Sequence, residues 1–167
     1  MGAVLLLASS ATVTAAGLPI GFVALTLGMD QADVLKKLKS EYSIISVRGN
    51  QDLFYVTDKP KPNGTIIGSV KFSQGKLATI DRWWGAFGEE SSNVDLMRTF
   101  YAAIESSKSV AGPYVSIDTS TQRIPGAEYK TIKFIFLGRS VTLGGTDGKN
   151  ELGGKQVTVV ESVFSDN

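Results

Sequence analysis

The stretch TIIGSVKFSQGKLATIDRWW, Thr65 to Trp84, constrains this chain most. Two runs of alternating apolar and polar residues flank Ser73-Gln74-Gly75. That pattern reads as a β-hairpin. A glycine third in the loop suits a left-handed residue and a G1 bulge. This loop pairs Phe72 with Lys76, Val70 with Ala78, Gly68 with Ile80 and Ile66 with Arg82. A two-residue turn would set Asp81 beside Val70 and Phe72, at the cost of burying a carboxylate. In the bulged register one face carries Ile66, Val70, Phe72, Ala78, Ile80 and Trp84. The other carries Ile67, Ser69, Lys71, Thr79, Asp81 and Trp83. The chain's two tryptophans, adjacent in sequence, therefore point to opposite faces. Trp84 is expected in the core, and Trp83 on the more polar face.

Two capped helices frame this hairpin. Asp30 opens LGMDQADVLKKLKSEY as an N-cap, with Asp33 three residues on as a capping-box partner. Val34, Leu35 and Leu38 form its apolar face, and Lys36, Lys37 and Lys39 its solvated one. Ser92-Asn93-Val94-Asp95 caps a second helix with Met97, Phe100, Tyr101 and Ile104 as its stripe, ended by Ala111-Gly112-Pro113. Strands are expected at Ile44–Val47 and Leu53–Thr57, then in YVSID, YKTIKFIF, RSVTL and QVTVVESVF. GGTDGKNELGGK reads as a flexible loop. VKFSQGKLATI and IKFIFLGRSVTL echo each other weakly, which suggests halves at 27–88 and 92–164. The fold class expected is α+β: two helices packed on antiparallel sheet, in a single domain from 17 to 167.

Composition excludes much chemistry. The chain has neither cysteine nor histidine. Thiolate chemistry, disulfides and a Ser-His-Asp triad are impossible, and the commonest zinc ligand is missing. A formal net charge of +1 gives no basic stripe for nucleic acid and no pull toward anionic membranes. No cofactor and no metal site is expected. GGTDGKNELGGK lacks the glycine and Ser/Thr positions of a phosphate loop, and Asp147, Asn150 and Glu151 miss EF-hand spacing. Asn63-Gly64-Thr65 matches a glycosylation sequon, though its Asn-Gly turn character accounts for it. The apolar run AVLLLASSATVTAAG ends in Thr14-Ala15-Ala16, a cleavage-site pattern without the usual basic start. Residues 1–16 are accordingly expected to be a signal peptide. The mature chain is then periplasmic or secreted, with no membrane insertion after signal removal.

Two functional classes remain. Trp83, Phe87 and Tyr55 are candidates for an exposed aromatic platform, of the kind enriched at protein interfaces. The alternative for Trp83 is that the second helix or the chain before it covers the ring. A carboxylate-dependent glycosidase or a sugar-binding protein is the competing class. It would draw two acids from Asp81, Glu89, Glu90, Asp118 and Glu128, with Trp83 stacking on a sugar. Two carboxylates facing across a cleft favour that class. A flat aromatic patch favours a non-catalytic binding module with a protein partner.

LGMDQADVLKKL resembles the opening helix of small exported bacterial proteins of the SmpA/OmlA (BamE) type. IGSVKFSQGKLATIDRWW resembles their sheet hairpin. The same helix-then-sheet unit in tandem is the β-lactamase-inhibitor-protein-like fold. The resemblance spans Leu27 to Trp84 and implies an exported, non-catalytic binding role. It supplies no site residues. The lipid-bearing cysteine of the lipoproteins and the disulfides of the inhibitors are both absent here.

Overall fold

The computed structural model describes residues 16–60, 64–124, 127–148 and 156–165. The expected leader up to residue 15, Asn63, and the side chains of Asp147, Asn150 and Glu151 lie outside the described residues. A short hairpin comes first, β1 (Gly17–Ile20) and β2 (Val23–Thr26), followed by α1 (Gln31–Lys39). Four strands follow: β3 (Ser43–Val47), β4 (Asn50–Thr57), β5 (Ile66–Ser73) and β6 (Lys76–Phe87). Then α2 (Asn93–Ala111) leads into β7 (Ser116–Ile124), β8 (Ala127–Phe136), β9 (Arg139–Gly148) and β10 (Gln156–Phe164). Strands β3 to β10 form one eight-stranded sheet in the order β3-β4-β5-β6-β10-β9-β8-β7. Each helix thus precedes a four-strand meander, and the last strands of the two meanders, β6 and β10, pair antiparallel at the sheet's centre.

The balanced α+β class expected from the sequence is not what forms. The chain is β-rich, 57% strand against 21% helix. The difference lies in β7, β8 and β9, which run through polar and glycine-rich sequence that composition assigns to loops. Thr119 to Arg123 and Gly144 to Gly148 are strand, because each pairs in register with β8. Pairing to a neighbouring strand satisfies backbone N–H and C=O groups whatever the side chains are. The β1–β2 hairpin was not expected either.

The central hairpin also differs in register. Its turn has two residues, Gln74 (φ 51°) and Gly75 (φ 74°), joining Ser73 to Lys76. Two successive positive φ values define a type I′ turn, whose twist matches the flanking strands. Two residues on, the register shifts: Phe72 pairs Leu77 and Lys71 pairs Thr79, leaving Ala78 as a bulge. Val70 then faces Ile80, and Asp81 faces Ser69. The extra residue restores the parity that the shorter turn would have lost. Asp81 therefore escapes the apolar face, and Leu77, 1% exposed, takes the core position expected for Ala78.

Asp30 is the N-cap of α1 but makes no capping bond. Its Oδ1 instead accepts from Lys76 Nζ at 2.9 Å, on the end of the hairpin. The backbone fastens the same junction, with Gln31 N donating to Gly75 O and Leu77 N to Met29 O. At α2 the cap is as read: Ser92 Oγ accepts from Val94 N at 3.2 Å. The helix's inner face differs, however. Leu96, Phe100, Ala103 and Ile104 pack on the sheet, whereas Met97 and Tyr101 are 61% and 65% exposed. The sheet-facing stripe is rotated by about one residue from the expected one.

Both helices and the β1–β2 hairpin cover the same face. Val163 belongs to the cluster with Leu18, Ile20, Leu25, Val34 and Leu38. Val159 belongs to the cluster with Ala103 and Phe136. These two β10 residues are four apart, so they share a side of the strand. Gly68 makes room for the hairpin: a Cβ there would lie 2.9 Å from Ile20 Cδ1. The other face of the sheet carries Tyr55, Ser69, Asp81, Trp83, Val160 and Thr142, and no described helix or hairpin packs there.

Candidate functional site

The adjacent tryptophans do point to opposite faces, and a second bulge follows them. Trp83 pairs with Val160 and Gly85 with Val159, so Trp84 is the extra residue on β6. Beyond the bulge the alternation is reversed. Phe87, four residues after Trp83, therefore pairs with Val157 on the helix-covered face. Its ring lies over Gly85, where a Cβ would come within 2.9 Å of it, and it packs on the α2 cluster. The expected trio is thus divided: Trp83 and Tyr55 lie together, and Phe87 lies behind the sheet.

On the open face the Tyr55 and Trp83 rings meet edge to face, centroids 6.5 Å apart and planes at 80°. Aromatic pairs favour this geometry. They line a hollow of about 300 Å³ whose far wall is Tyr129. Tyr129 reaches inward across Gly144, where any Cβ would stand 2.2 Å from its hydroxyl. The glycine thus permits the ring to lie along the sheet. Val160, Thr142 and Asp81 also line the hollow. Asp81 Oδ2 accepts from Ser69 Oγ at 2.7 Å. Among the described residues Asp81 is the only carboxylate, and the only charged side chain, in this lining.

The other acids considered from sequence do not gather here. Glu89 lines a different hollow of about 400 Å³, at the start of α2, with Phe87 and Lys130. Glu90 is exposed. Asp118 lies on the edge strand β7, opposite Lys133. Glu128 is ion-paired to Lys130 and Arg123. The hydrogen bond from Lys130 comes first in holding its carboxyl below the usual carboxylate range. A general acid needs the opposite shift. Among the described residues no group of three or more His, Cys, Asp or Glu is placed to hold a metal ion. No described helix is long and apolar enough to cross a membrane.

The most elaborate polar cluster centres on a residue the sequence reading passed over. Glu161 is fully buried on the helix-covered face of β10. Its Oε2 accepts from Arg82 Nη2 and from Trp84 Nε1 at 3.0 Å. Its Oε1 accepts from Ser107 Oγ at 2.8 Å and Arg139 Nη1 at 3.2 Å. Arg82 lies 4.3 Å over the Trp84 ring and also reaches Ser106 Oγ. Arg139 Nη2 continues to the Gly17 carbonyl at 2.6 Å. One carboxylate thus ties together β1, β6, β9, β10 and α2. Four donors already engage its two oxygens, which makes it the centre of a structural network. Its signal in the sequence was position: in VTVVESVF, Glu161 falls in the inward register with Val157, Val159 and Val163.

Family models, curated proteins and solved structures provide no match to this chain.

Proposed function

We propose that this protein is a small exported, non-catalytic binding module that engages a protein partner through the open face of its sheet. The observation that carries the reading is the hollow walled by Tyr55, Trp83 and Tyr129 on a face that no described helix or hairpin covers. Large aromatic side chains left half-buried on such a face supply contact area at small entropic cost. A lone carboxylate among the described residues of the hollow speaks for binding over glycoside hydrolysis, which takes two. The export part of the reading rests on the apolar run before Gly17, and the resemblance to small exported proteins agrees with it.

Trp83→Ala tests the reading. Stability is expected to fall by about 1–2 kcal/mol, because the ring is partly buried against Tyr55 but has no part in the Glu161 network. Partner affinity is expected to fall by ~2 kcal/mol or more, as for an interface hot spot. Affinity capture from the source cell's envelope fraction, with wild type and variant side by side, provides the measurement. Equal recovery of the partner by both would remove the site from consideration. Mass spectrometry of the natively made protein is expected to find a mature N-terminus near Gly17. An intact Met1 inside the cell would contradict export.

A further inference from the structure

We infer that the hollow on the open face receives a cationic side chain, a lysine or arginine presented by the protein partner. This inference rests on the binding reading above and names the chemistry of what binds. The rings of Tyr55 and Trp83 stand at 80° to each other, so they form a corner and not a platform. A flat sugar ring stacks over a single aromatic face. An ammonium or guanidinium group in a corner is attracted by the negative faces of both rings. Tyr129 adds a third ring from the opposite side.

The charge in the hollow agrees. Among the described residues that line it, Asp81 alone carries a formal charge. Among the described residues Asp81 has no ion-pair partner, and only its Oδ2 is engaged, by the Ser69 hydroxyl. The hydroxyl fixes the carboxylate's orientation without neutralising it. Two lysines among the described residues share this face: Lys71 sits across from Thr79 and lines a separate hollow with Gln74 and Ser165, and Lys133 sits across from Thr142 with its Nζ over the Phe164 ring. A basic side chain seated between the three rings pairs with this carboxylate.

The experiment is a titration of the full chain followed by the indole N–H signal of Trp83, identified by its loss in Trp83→Phe. The probes are N-acetyl-arginine methylamide and N-acetyl-lysine methylamide. Their controls are the uncharged citrulline analogue and methyl β-glucoside. The cationic probes are expected to shift the Trp83 signal saturably, and the citrulline analogue at least fivefold more weakly. Asp81→Asn keeps an acceptor for Ser69 while removing the charge, and is expected to weaken the cationic probes at least fivefold. Gly144→Ala, which displaces Tyr129 from outside the hollow, is expected to weaken them too. Equal shifts with the citrulline analogue, preferential saturation by the glucoside, or no shift with any probe would overturn the inference. The two readings fail separately. If Trp83→Ala abolishes partner capture while Asp81→Asn leaves it intact, the binding face stands and the cation does not.

Discussion

Replacing Glu161 with alanine is expected to destabilise the fold by about 3–5 kcal/mol, the range for breaking a buried ion pair from one side. The cost is the charge left behind. Arg139 is 7% exposed, and without Glu161 its guanidinium keeps only the Gly17 carbonyl. Arg82 loses its anion as well, and its Nε already lacks a partner. Ser107, fully buried, loses the acceptor for its hydroxyl. Proteins of this size are stable by only about 5–15 kcal/mol, so the variant is expected to unfold at far lower urea concentration. A midpoint shift worth less than about 1 kcal/mol would mean that the network does not hold the two meanders together.

Trp84→Ala is expected to cost about 3 kcal/mol, at the lower end for truncating a large aromatic, because the ring is only partly buried. Two effects add. The α2 cluster loses the ring that packs beside Phe87 and Phe100, and Glu161 loses one of its donors. Because Trp84 and Glu161 share a bond, the double variant is expected to cost less than the sum of the single ones. Urea denaturation of the four proteins measures this directly. Additive costs would show that Trp84 acts by packing alone. The neighbouring Trp83, partly buried but outside the Glu161 network, is expected to cost about 1–2 kcal/mol and is the internal control.

Local chemistry was legible in the sequence; the register was only half so. Asp30 and Ser92 mark the two helix starts, and Gly75 marks the central turn, since each acts on residues within one turn of it. Faces of β5 and β6 were legible too, because alternation is a property of each strand. The bulges at Ala78 and Trp84 were not, as a bulge is defined by the partner strand. The second one matters for function, since it reverses the alternation after Trp83 and carries Phe87 to the covered face. Tyr129 was missed because it comes from β8, 46 residues beyond Trp83, and only the sheet order brings it near. Its permissive residue, Gly144, lay in a stretch that composition marks as loop. Glu161 was readable by its inward position, but its partners come from three other elements. The rotation of the α2 stripe has the same origin. Met97 and Tyr101 are as apolar as the residues that do pack inward, and only the sheet decides which face of the helix is used.

That rotation leaves a competing apolar surface, formed by Val94, Met97 and Tyr101 on the outer side of α2, each more than 60% exposed. Site-specific photo-crosslinking separates the two faces most directly. Benzoylphenylalanine is placed at Thr142 on the open sheet face in one protein, and at Tyr101 on α2 in another. Both are expressed in the source cell and irradiated. The account predicts a discrete adduct of the same partner from Thr142 and none from Tyr101. An adduct from Tyr101 alone would place the partner on α2 and contradict a binding face centred on Trp83.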